Sequence, residues 1–187
     1  VFNTLNGDSN VAFFREYTNA GLNAKDMPVV SVSIAEEEVV GIGAQNIEGQ
    51  LTAWNYYQTV ESPENASFVE AYKAKYGANK PTSDPMEAAY TSVYLWKNSV
   101  EKAESFAVED VVKASDGVSF DAPEGTVTID GDNHHITKTA RIGEIRGSVR
   151  TGNISEIYRI GSVRKVIRIG AIRGIIPQRQ IGTGGTN

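Results

Sequence analysis

The chain has 187 residues and a mass of 20.2 kDa, enough for one domain or two small ones with a buried core. Its 40% hydrophobic and 22% charged residues, with a mean hydropathy of −0.29, match a water-soluble globular protein, and no apolar run approaches a bilayer span. The absence of cysteine excludes disulfide scaffolds, thiol catalysis and cysteine-ligated zinc or iron–sulfur centres. The net charge of −5 conceals a split: residues 1–140 carry 9 basic and 21 acidic side chains, whereas residues 141–187 carry 9 basic and 2 acidic.

No charged-then-apolar leader opens the sequence at Val1, so any targeting signal is expected to have been removed or to lie outside it. Val1–Thr4 predicts a short strand that stops at the turn-forming Asn6-Gly7-Asp8-Ser9, and Val11, Phe14 and Tyr17 recur at helical spacing up to Gly21. Pro28–Ser33 predicts a second strand, and Ser33-Ile-Ala-Glu36 is a capping-box pattern for a short helix ending near Gly41-Ile-Gly43. A third strand, Gly49–Trp54, leads into Asn55-Tyr56-Tyr57. Ser62-Pro63 opens a helix with Phe68, Tyr72 and Tyr76 on one face and Gly77 as its stop. Asp84-Pro85-Met86-Glu87 repeats the start chemistry, and Met86, Ala89, Tyr90, Val93, Trp96 and Val100 form a stripe expected to be buried. A short helix over 107–114, a turn in Ser119–Gly125, and strands at Thr126–Asp130 and Ile136–Ile145 complete the body. The alternation of strand and helix predicts an α/β fold with a largely parallel sheet.

The last 47 residues differ in kind, with eight of the nine arginines and half of the glycines. Arg141-Ile-Gly-Glu-Ile-Arg146, Arg159-Ile-Gly-Ser-Val-Arg164 and Arg168-Ile-Gly-Ala-Ile-Arg173 share one pattern, and β-branched residues alternating with arginine predict strands. Two readings stand beside each other. One is a cationic arm for a polyanion or acidic surface; the other is a frameshifted, recombined or accessory extension, favoured because Tyr158 is the one aromatic residue among the arginines.

In α/β sheets ligands sit beyond the carboxyl ends of strands. Leu5–Ser9 and Ser31–Ala35 each link a strand to a helix, so their amides and the side chains of Asn6, Asp8, Ser9 and Ser33 are the candidate site, unless Ser9 and Ser33 only cap helices. Tyr56 and Tyr57, beside Trp54, either wall a cleft or belong to the core. Glu36-Glu37-Glu38 offers acid or base chemistry, but the helix dipole favours carboxylates in a first turn in any case, and that is the preferred reading. His134 and His135 are adjacent and poorly placed to chelate one metal, Gly41-Ile-Gly43 lacks a dinucleotide fingerprint, and Asn65-Ala-Ser67 is a bare glycosylation sequon. No catalytic residue, metal or cofactor is expected.

Val1–Asn10, Pro28–Glu38, Gly49–Tyr57, Asp84–Tyr90 and Phe120–Gly125 closely resemble, in order, the urea-binding proteins of bacterial ABC transporters. The amide-sensing proteins of amidase operons are similar more distantly, through Asp121-Ala-Pro and the stretch from Asn133-His134 to Arg141-Ile. The resemblance covers residues 1–146 and implies part of a type I periplasmic binding protein, in which two lobes of mostly parallel sheet flanked by helices close on a solute. It further implies a periplasmic location, urea or a short amide held by Leu5, Asn6, Gly7, Asp8, Ser9, Ser33 and Tyr56, a membrane permease as partner, no nucleic acid and no enzymatic reaction. By the same analogy residues 1–54 are a second-lobe segment, 55–116 a returning first-lobe segment, 117–146 closing second-lobe strands, and 147–187 a basic tail outside the pattern. The family's opening strands have no counterpart here, so the expectation is a fragment that exposes an apolar face, self-associates through that face or the tail, and binds urea poorly alone. The alternative is an interaction or assembly protein that uses the basic tail.

Overall fold

The computed structural model describes residues 1–146 and the strand 156–167. In chain order the elements are β1 (Phe2–Asn3), α1 (Ser9–Asn19), β2 (Val30–Ser31), α2 (Glu36–Ile42), a 3-10 turn (Ala44–Asn46) and β3 (Leu51–Trp54). Then come α3 (Pro63–Tyr76), α4 (Asp84–Ala103), α5 (Val108–Ala114), β4 (Ser119–Ala122), β5 (Gly125–Ile129), β6 (Ile136–Arg146) and β7 (Glu156–Ile167).

The sheet runs β1-β2-β3-β6-β5-β4, with β7 also paired to β6. β1, β2 and β3 are parallel, because each pair is joined through a helix; every other pairing is antiparallel. The α/β alternation therefore yields a mixed open sheet whose parallel part is confined to the first three strands. β4 was not foreseen as a strand: Ser119–Ala122 pairs with Gly125–Ile129 across the two-residue turn at Pro123-Glu124. In the tail, β7 brings part of the second arginine repeat antiparallel to the first, with Arg141 opposite Ser162 and Ile142 opposite Gly161. The third repeat, Arg168–Arg173, lies outside the described residues.

Two apolar clusters result. The first gathers Phe14 and Tyr17 of α1, Val29, Ile34, Val39, Ile42, Ile47, Tyr57 and Ile145. The second joins Leu95 of α4 to Val118, Ala122 and Val127. Of residues 117–146, β6 alone reaches the first sheet; β4 and β5 lie against α4, so β6 belongs to both halves.

Local signals explain most boundaries. Ser62 caps α3 by accepting from the Asn65 amide at 3.0 Å, Pro63 fills its first turn, and Gly77, at φ 117°, ends it where a side chain would be strained. Two start signals act differently from the sequence expectation. At α2 the N-cap is Ala35, whose N–H donates to Glu38 at 2.9 Å, so Ser33 caps nothing. At α4 the N-cap is Ser83, and the Asp84 carboxylate instead accepts from the Asn55 and Tyr56 amides at 2.9 and 2.8 Å.

The expected burial of α4 is overturned. Its buried row is Asp84, Glu87, Thr91, Leu95 and Ser99, while Val93 and Trp96 are more than half exposed. Spacing reveals that a helix is amphipathic, but the surface it meets decides which row is covered. Here that surface is β4–β5 together with Lys138, which receives the i, i+4 row that carries Glu87. Leu95→Ala is accordingly expected to cost about 2–4 kcal/mol, whereas Trp96→Ser changes stability by less than about 0.5 kcal/mol; paired thermal melts check the contrast.

Candidate ligand-binding site

The predicted site residues Leu5, Asn6, Gly7, Asp8 and Ser9 form one exposed loop beyond the carboxyl end of β1, and Ser33 lies beside it beyond β2. Gly7 adopts φ 57°, the left-handed conformation that lets the loop turn into α1. Asp8 is the N-cap of α1, yet neither its carboxylate nor the Ser9 hydroxyl caps the helix. Among the described residues no hydrogen bond engages the side chains of Asn6, Asp8 or Ser9, or the backbone N–H groups of Asn6, Gly7 and Asp8. The Ser33 hydroxyl donates to the Leu5 carbonyl, which joins the two loops.

Beneath the loop lies a buried amide network that the sequence did not disclose. Asn3 accepts from the Leu5 N–H at 3.0 Å and donates to Asn10 Oδ1 at 2.8 Å and Ser31 Oγ at 3.0 Å; Asn10 donates to the Leu5 carbonyl at 3.0 Å. Asn3 and Asn10 are both buried, where an amide needs partners for both ends, and no local pattern in the sequence marks either of them.

Tyr56 stands apart from that loop. It is fully buried, and its hydroxyl lies 2.7 Å from both Asn65 Oδ1 and Thr82 Oγ1. Burial raises its pKa above the usual phenol range, and that of Tyr57, whose hydroxyl donates to the Thr52 carbonyl at 2.8 Å. Asn65, the acceptor of the sequon, is buried too, and its amide donates to the Gln58 and Val60 carbonyls at 2.9 and 2.7 Å.

Around the segment after β3, charges are buried. Glu36 accepts from the Gln58 amide at 2.6 Å while its other oxygen has no hydrogen-bond partner, and burial, reinforced by Asp84 and Glu38, raises its pKa to about 8. Lys138 of β6 lies 2.5 Å from Glu124 and 3.8 Å from Glu87. Burial raises the Glu124 pKa to about 7, with Lys138 opposing and Glu87 and Asp84 assisting. Burial also works against the Lys138 charge, but the two glutamates outweigh it and the net shift is upward. Arg141 donates to the carbonyls of Asn55 and Glu124, which ties β6 both to the segment between β3 and α3 and to the β4–β5 turn. A polar cleft of about 570 Å³ opens there between Thr59–Ser62 and the Glu124–Arg141 pair.

His134 and His135 lie exposed in the β5–β6 turn, and among the described residues no cluster of three or more His, Asp or Glu side chains suits a metal ion. Among those residues, too, no helix is long and apolar enough to cross a membrane.

Residues 1–158 match the family model described as periplasmic binding protein domain. Among curated relatives, the Leu/Ile/Val-binding protein homolog 6 of Brucella melitensis is 26% identical over 144 residues, which cover 74% of this chain and 36% of that protein. A protein named limonene hydroxylase from Geobacillus stearothermophilus is 26% identical over 103 residues, 55% of this chain and 19% of that protein. The solute-binding protein of an ABC transporter from R. palustris, solved in complex with 4-hydroxybenzoate, superposes with a TM-score of 0.78 at 22% identity, covering 92% of this chain and 47% of that one. The chain thus spans less than half the length of these relatives. With a mixed α/β sheet, a polar loop at the carboxyl ends of its parallel strands and a family match over most of its length, the chain belongs to the periplasmic binding protein domain family.

Proposed function

We propose that this chain is part of the extracytoplasmic solute receptor of an ABC importer, and that its Leu5–Ser9 and Ser33 loops take urea or a short-chain amide for delivery to a membrane permease. The observation that carries the reading is the unengaged loop itself. The N–H groups of Asn6, Gly7 and Asp8 are available to a carbonyl oxygen, and the unpaired Asp8 carboxylate is available to amide N–H groups. A carboxylate solute, such as the 4-hydroxybenzoate of the R. palustris protein, would meet Asp8 as a like charge. Residues 1–54 and β6 then serve as second-lobe structure and 55–116 as first-lobe structure, with Tyr56 anchoring the crossing between them rather than touching solute.

An NMR titration of backbone amides with acetamide, urea, leucine and 4-hydroxybenzoate tests this. The expected result is weak, saturable shifts at Asn6–Ser9 and Ser33 with the two amides alone, weakened about tenfold in Asp8→Asn by loss of a charge-assisted hydrogen bond. Saturation by the carboxylates, with only linear drift for the amides, would overturn the amide reading. A second reading, assembly through the tail, draws on the pairing of β7 with β6. It requires salt-sensitive association that disappears when residues 147–187 are deleted.

A further inference from the structure

Within the chain the arginine-rich repeat already pairs with β7. Its first occurrence, in β6, runs antiparallel to the start of β7, with Arg146 opposite Glu156, Ile145 opposite Ile157, Glu144 opposite Tyr158 and Gly143 opposite Arg159. The last four positions of the repeat are thus matched to residues 156–159. β7 itself carries the second occurrence, residues 159–164, in which Ile160 and Arg164 have no register partner in β6. Among the described residues no second strand flanks β7. A 12-residue strand, about twice the usual length, therefore presents its far edge as a row of N–H and C=O groups outside any ladder.

Resting on the assembly reading above, we propose that β7 is a homodimerisation edge, pairing antiparallel with β7 of a second copy about a two-fold axis through Ile160. The register follows from the one seen inside the chain. Setting residues 161–164 of a second copy against residues 156–159, as 143–146 are set, puts Arg164 opposite Glu156, Val163 opposite Ile157, Ser162 opposite Tyr158 and Gly161 opposite Arg159. The same four pairs recur in reverse beyond Ile160, so the contact closes as an isologous dimer and does not run on as a fibre. No arginine opposes another in it, and Glu156 meets Arg164 at both ends, which offsets the cationic repulsion that ordinarily keeps such an edge single. The chain's own third repeat does not fit there. Putting Arg173 opposite Glu156 would centre a reversal on Arg164-Lys165, inside a strand that continues to Ile167.

The test exploits the lack of cysteine in the chain. Ile160→Cys puts one thiol per chain on the axis, where opposed strand positions lie about 4.5–5.5 Å apart, within disulfide reach. Ile157→Cys puts the two thiols roughly 20 Å apart. Under mild oxidation Ile160→Cys is expected to give a covalent dimer and Ile157→Cys alone to give none, while an equimolar mixture of Ile157→Cys and Val163→Cys crosslinks. In sedimentation of the full chain, Arg164→Glu and Glu156→Lys each weaken dimerisation about tenfold, by reversing two charge pairs, and mixing the two variants restores it. Such rescue in trans is a result that misfolded variants would not give. Dimers that vanish on deleting residues 147–187 but fail to crosslink through Ile160→Cys, or crosslink through Ile157→Cys alone, overturn the register while the assembly reading stands. A full chain that stays monomeric, or a chain that still dimerises without residues 147–187, overturns the assembly reading and the proposal with it.

Discussion

Glu36→Gln is expected to stabilise the protein by about 3 kcal/mol at pH 8.5 and to leave it nearly unchanged at pH 4. The cause is a carboxyl group sealed at the start of α2, with one oxygen on the Gln58 amide and the other without a hydrogen bond. Burial raises its pKa from 4.5 to about 8 in the folded chain. Below pH 4.5 folded and unfolded states both hold the proton, so it contributes no difference between them. As pH rises from 4.5 towards 8 the unfolded chain releases the proton while the folded chain retains it, and the native state is progressively disfavoured. Above about 8 the loss is complete. Glutamine keeps an oxygen for Gln58 and does not ionise, which removes this component. Thermal midpoints at half-unit pH steps should show the wild type falling across this window and the variant flat relative to it; parallel curves would show that Glu36 ionises as readily in the folded protein as in the unfolded one.

Lys138→Met carries the largest expected loss, about 3–5 kcal/mol at neutral pH, because it strands two glutamates among buried surroundings. Glu87 is fully buried and Glu124 nearly so, and Lys138 is the cation that lies against both. Adding Glu124→Gln to Lys138→Met should restore at least half of the loss, since one stranded charge is then gone. A double-mutant cycle of melting midpoints gives the coupling directly, and additive effects would show that the ion pair contributes nothing beyond side-chain packing.

These two groups also mark the limit of what was legible in the amino-acid order. Strands β1, β2 and β3 and helix α3 could be read because their ends are written locally, in Asn6-Gly7, Ser62-Pro63 and Gly77. The candidate loop could be read for the same reason: it follows a short apolar run and opens a helix. The orientation of α4 could not, since the row that is buried depends on β4–β5, and β4 itself depends on a hairpin at Pro123-Glu124 that looked like a turn alone. Glu36 read as an ordinary first-turn acid and Glu87 as helix-start chemistry, because burial of a carboxylate is decided by elements distant in sequence. Asn3 and Asn10 were silent for a related reason, as each is meaningful only as the partner of the other. Ser33 carried two readings, cap or ligand contact, and the structure replaced the first with a hydrogen bond to Leu5.

The double membership of β6 governs how the polypeptide acquires its structure during synthesis. Ile145 closes the first cluster, its carbonyl accepting from Gly49 and its amide donating to Gln50, at 2.8 and 2.9 Å. Those partners leave the ribosome long before it does. The parallel strands and the helices α1 and α2 must therefore wait, with an open edge on β3, until the whole of α3, α4 and the β4–β5 hairpin has been translated. A nascent chain stalled before residue 140 would present that edge to the cytosol, which makes the interval between β3 and β6 the stretch of translation during which a holding chaperone matters most.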